Sequence, residues 1–106
     1  MKLTSQQKKQ FRAIGHKLKP VVTIAGKGLS ENVLKELERA IRDHELIKIK
    51  INVDTHEAKQ AIIENVHNLM GSISVQETGK VALIYKPAAK PNPQLSNVIR
   101  FNIFTG

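Results

Sequence analysis

The spacing of apolar residues divides the chain into seven segments of alternating period. Leu3, Gln7, Phe11, Ile14 and Leu18 share one side of a 3.6-residue repeat, and Lys8, Lys9, Arg12 and His16 fall on the other. Thr4 followed by Gln7 has the form of a capping box, so the first element is a helix of about three turns, ending near Gly15 and Pro20. Val21-Val22-Thr23-Ile24 is a short β-branched run stopped by Ala25-Gly26-Lys27-Gly28. Ser30 then caps a second helix, with Val33, Leu34, Leu37, Ala40 and Ile41 as its apolar arc and Glu31–Lys35 and Glu38–Arg42 as i,i+4 pairs.

From Leu46 to Val53 the period changes to two. Ile47, Ile49, Ile51 and Val53 take one face of a strand, and Lys48, Lys50 and Asn52 the other. A third helix follows, with Asp54 and Glu57 as cap and partner, Ala58, Ile62, Val66 and Leu69 as its stripe, and Gly71 as its stop. Residues 73–76 and 81–85 read as an antiparallel pair about a turn in which Gly79 takes positive φ. The expected fold is α/β, an α+β two-layer arrangement in the order α-β-α-β-α-β-β, with three helices on a mixed four-stranded sheet whose first units are partly parallel. Residues 1–87 form the domain. Residues 88–106 are a proline-rich tail whose apolar end, through Val98, Ile99, Phe101, Ile103 and Phe104, could add an edge strand, dock on the body or meet another chain.

Charge adds direction to this outline. The 106 residues carry 17 Lys+Arg against 9 Asp+Glu, a net +8, and residues 1–30 hold seven of those cations and no acid. Such an excess points to a polyanion, and its asymmetry to one binding side. The amino terminus lacks the apolar core of a signal peptide and no stretch approaches the ~18 apolar residues of a membrane span, so the expected location is cytoplasmic, with no membrane partner. With no cysteine there is no disulfide, thiolate metal site or cysteine nucleophile.

Little in the chain resembles an enzyme. His16, His44, His56 and His67 lie 28, 12 and 11 residues apart, outside metal-ligand spacings, and read as surface or helix-end residues. The carboxylates are scattered among lysines, and no nucleophile elbow or Walker loop is present. No catalysis, metal, cofactor or small-molecule substrate is expected. The glycine loop is the best candidate site: Gly26 and Gly28 let a ligand approach the backbone, Lys27 adds charge, and the helix after Ser30 aims its first N–H groups there. A plain strand-to-helix turn would look similar, and the basic stretch around it favours the phosphate grip. The candidate contacts are Arg12, Lys17, Lys19, Gly26, Lys27, Gly28, Lys48 and Lys50, although Lys48 and Lys50 could equally sit on a solvated sheet face. Only Phe11, Tyr85, Phe101 and Phe104 are aromatic, too few for a base-stacking sheet, so a backbone-gripping mode fits better. An acidic protein partner and DNA remain alternatives to RNA.

Several strings together resemble the YhbY-like, CRM-domain family: Leu18-Lys19-Pro20-Val21-Val22, Gly28-Leu29-Ser30, His44-Glu45-Leu46-Ile47-Lys48-Ile49-Lys50, and Gly79-Lys80 with Leu83-Ile84-Tyr85-Lys86-Pro87. The resemblance covers about residues 3–87. It implies a KH-like RNA-binding fold, similar to the C-terminal domain of the bacterial third initiation factor, and association with ribosomal RNA in precursors of the large ribosomal subunit. The family's loop is Gly-x-x-Gly, and here Ala25 occupies the first glycine position.

Overall fold

The computed structural model describes residues 3–26 and 28–100. The elements follow the expected order: α1 (Ser5–Gly15), β1 (Pro20–Ile24), α2 (Glu31–His44), β2 (Leu46–Ile51), α3 (His56–Met70), β3 (Ile73–Thr78) and β4 (Val81–Tyr85). Local chemistry accounts for most of the boundaries. The Thr4 hydroxyl accepts from the Gln7 amide at 3.1 Å while the Gln7 side chain accepts from the Thr4 amide at 2.9 Å, closing the capping box. Ser30 caps α2 through Val33, and Gly71 ends α3 at φ 69°.

Two boundaries differ in their cause. The α3 cap is Thr55, whose hydroxyl accepts from the Ala58 amide at 3.1 Å. Asp54 stands one residue too early to reach that amide, and Glu57 instead places negative charge in the first turn, where the helix dipole favours it. Gly15 does not turn α1 off by a left-handed conformation, since the cap residue His16 remains right-handed at φ −62°. Its value is its missing side chain: a Cβ there would lie 2.6 Å from Leu83 Cδ2.

The sheet order is β1-β2-β4-β3. Strands β1 and β2 pair in parallel, and β4 is antiparallel to both β2 and β3. Thus β2 and β3 point the same way, as two ends of a strand-helix-strand unit should, but β4 is inserted between them. On one face Leu37 and Ile41 of α2 and Val66 of α3 pack with Ile24, Ile47, Ile49, Ile51 and Ile84 of the sheet, all essentially buried. This is the expected helix-on-sheet layer. Helix α1 lies on the other face, where Phe11 and Ile14 pack with Leu46, Val75 and Leu83. The Phe11 and Tyr85 rings meet with centroids 4.7 Å apart, tilted by 50°.

The segment after Pro87 returns to the body. Its anchor is Glu45, a buried residue at φ 60° between α2 and β2. One carboxylate oxygen accepts from the Ala88 amide at 2.7 Å and the other from the Ser96 hydroxyl at 2.6 Å. Asn97 donates to the Leu46 carbonyl at 2.7 Å, His44 Nδ1 donates to the Leu95 carbonyl at 2.8 Å, and Val98 packs beside the α1 core. Of the roles open to the tail, residues 88–98 thus dock on the domain; Phe101, Ile103 and Phe104 lie outside the described residues.

Candidate nucleic-acid interface

The interface begins with the half of the sheet that α1 leaves open. Leu46, Lys48 and Lys50 share one face of β2, and their partners on β4 are Tyr85, Leu83 and Val81. Helix α1 seals the Leu46–Tyr85 end, leaving Lys48 half-buried and Lys50 exposed. On β1, Pro20 pairs with Lys48 and Thr23 with Lys50, so β1 adds Thr23 to the same open surface. Arg12, in the last turn of α1, and Lys17 and Lys19, in the connection to β1, are exposed along the border of this surface.

Strand β1 runs from Lys19 toward the glycine loop, which brings that loop to the Lys50 end. There the Gly28 amide donates to the Ala25 carbonyl at 2.8 Å and the Ser30 amide to the Gly28 carbonyl at 3.1 Å. Among the described residues of the turn, positive φ occurs at Gly28, at 73°. Ala25 has no such demand, so alanine at the family's first glycine position is compatible with this backbone. At Gly26 an added Cβ would meet nothing, and a methyl group there would narrow only the approach of a ligand. Lys27 lies outside the described residues. Beyond the loop, Ser30 satisfies Val33, and the first-turn amides of Glu31 and Asn32 begin α2 beside it.

The structure brings two further side chains to this end. Lys80, exposed in the β3–β4 turn, donates to Asn52 Oδ1 at 3.0 Å, and the Asn52 amide donates to the Ile24 carbonyl at 2.7 Å at the loop's base. Lys50, Lys80 and Asn52 thus gather where β1 enters the glycine loop. The sequence offered Lys80 only as part of a string; its position depends on the β2–β4 register, which no local pattern specifies. Lys59 is different, since its ammonium is buried and donates to the Gly79 carbonyl, fixing the turn that carries Lys80.

A model of the CRS1 / YhbY (CRM) domain matches residues 3–86. The chain belongs to this family. A relative from Pseudomonas aeruginosa, named "probable RNA-binding protein", is 50% identical over 101 residues, covering 95% of this chain and 97% of its own. One from Haemophilus influenzae, named "RNA-binding protein", is 38% identical over 93 residues, covering 88% and 94% respectively. The solution structure of a Staphylococcus aureus protein superposes with a TM-score of 0.73 at 26% identity, over 90% of this chain and 98% of that one.

Other chemistry in this CRM domain is structural. His67 Nε2 and Nδ1 each lie 2.8 Å from a hydroxyl, of Ser74 and Ser72. Because Ser74 donates to the acceptor-only carboxylate of Glu77 at 2.9 Å, it must accept from His67 Nε2–H, leaving Nδ1 to accept from Ser72. Burial holds the His67 pKa below its ordinary value, against the opposing pull of Glu77. Glu77 is itself lowered, first by the hydrogen bond from Gln60, against some burial and with help from Ser74, Lys59 and His67. The network ties α3 to β3. Among the described residues no group of His, Asp and Glu could hold a metal ion, and no helix is long and apolar enough to cross a membrane.

Proposed function

We propose that this protein binds structured RNA by its phosphate backbone, and that it acts in the cytoplasm on precursors of the large ribosomal subunit. The observation that carries the RNA reading is the open half-face of the sheet, where Lys48, Lys50 and Lys80 lie between the basic flank of α1 and the glycine loop. Arg12, Lys17 and Lys19 extend the positive surface, the sequence adds the charge of Lys27, and Gly26 and Gly28 let a phosphate approach the main chain. Phe11 is buried against Tyr85, so its ring is not offered to a base. The names of the relatives support RNA as the polyanion, and the family resemblance supports the ribosomal precursor.

Reversing Lys19 and Lys27 to Glu should abolish binding to structured RNA with the fold retained, as followed by mobility shift and circular dichroism; unchanged affinity would place the site elsewhere. Sedimentation of a lysate should carry the protein with large-subunit precursors, and a protein found only at the top of the gradient would remove the ribosomal part of the proposal. Duplex DNA competing as well as structured RNA at fixed salt would favour a general polyanion binder instead.

A further inference from the structure

The face of the domain turned away from Lys48 and Lys50 carries a groove of about 960 Å³ between α2, α3 and the chain leaving β4. Its apolar surface includes Ile41, Leu69 and Met70, with Pro87 and Ala88 from the chain leaving β4. Ile41 and Met70 belong to the core, whereas Leu69 is 62% exposed although it stands on a helix otherwise packed against the sheet. The rim is cationic: Arg42, Lys86 and Lys90 against the single acid Glu38. Arg42 is loosely paired, its Nε 3.8 Å from Asp43, and among the described residues neither Lys86 nor Lys90 enters an ion pair.

We propose that this groove docks an acidic amphipathic peptide segment of a partner protein, at the same time as RNA occupies the opposite face. The apolar floor would take the partner's leucine-type side chains while Arg42, Lys86 and Lys90 meet its carboxylates. No aromatic ring lines the groove, so it lacks the aromatic platform on which RNA bases stack. A second copy of a chain carrying +8 approaches with like charge, which disfavours self-docking. The groove lies beyond the Tyr85 end of the sheet and the glycine loop at the Ile24 end, so the two ligands need not compete. This inference does not depend on which RNA is bound.

The test uses the full chain and a fluorescein-labelled helical peptide of about four turns, with leucines on one face and glutamates on the other, followed by anisotropy. Binding should weaken about tenfold or more in Leu69→Glu and in the double variant Lys86→Glu/Lys90→Glu, and a lysine-faced peptide should fail to bind. Saturating structured RNA should leave the peptide bound. The assignment is overturned by equal binding of the lysine-faced peptide, by unchanged affinity in both variants, or by displacement with RNA. Self-association of the wild-type chain that disappears in Leu69→Glu would also overturn it, in favour of a second copy. Leu69 is exposed, so its variant should fold, and the double variant tests the rim independently of the floor.

Discussion

Gly15 presses its bare α-carbon onto Leu83, so closely that a methyl group on Gly15 would stand 2.6 Å from Leu83 Cδ2. This approach lets α1 lie on the sheet, and the position of α1 in turn decides which part of the lysine-bearing face stays open. Gly15→Ala would gain up to about 1 kcal/mol of helix propensity but force a buried leucine to move, at about 1–3 kcal/mol. A net loss is expected, seen as a thermal midpoint several degrees lower, with RNA affinity reduced as α1 shifts. A midpoint equal to or above that of the wild type would show that Leu83 yields freely.

The tail anchor offers a second test. Ser96→Ala removes one of the two donors to the buried Glu45 carboxylate, the other being the Ala88 main-chain amide, and the loss of such a hydrogen bond costs about 1–3 kcal/mol. Amide exchange of residues 96–100 should accelerate more than that of the β2 core. Uniform acceleration throughout the domain would mean that the tail unfolds only with the whole molecule.

For the basic surface, Lys50→Glu and Lys80→Glu should each weaken RNA binding, and Lys50→Gln and Lys80→Gln should each lower the log–log salt slope by about 0.7–0.9. The informative position is Lys80, which the structure adds to the sequence-derived set. If Lys80→Gln leaves the slope unchanged, the Lys80–Asn52 contact only shapes the turn.

The His67 network predicts an acid-sensitive fold. Burial lowers the His67 pKa, so as pH falls through the ordinary value near 6.5 the unfolded chain takes up a proton before the folded one does. The His67 contribution is complete above that pH and declines below it. The lowered Glu77 pKa adds a second contribution, complete above about 4.5 and lost as pH falls through its folded value. The urea midpoint should therefore fall between pH 7 and 5.5, and His67→Gln should shrink that difference. An equal difference in the variant would exclude His67 as its source.

Local signals in the sequence were reliable where one residue satisfies a nearby backbone group, as at Thr4–Gln7, Ser30 and Gly71. Asp54 and Thr55 can both cap, and the one position between them is not distinguished by local pattern; the structure uses Thr55. The side of the sheet occupied by α1 was harder. An amphipathic pattern says that Phe11 and Ile14 are buried, not against what, yet a clue existed in Leu46, which stands on the Lys48–Lys50 face and is apolar. Glu45 and Lys80 were not legible as functional parts, because each acquires its role from residues 28 or more positions away.

The insertion of β4 between β2 and β3 has a consequence for biosynthesis. The last of the described strands occupies an interior place in the sheet, so among the described residues β3 has no hydrogen-bonding neighbour until the residues of β4 have left the ribosome. The basic first thirty residues are therefore made well before the scaffold that shapes them into a binding surface. A chain halted before Val81 would carry most of the charge and none of the completed sheet, and selective recognition should appear only with the final strand.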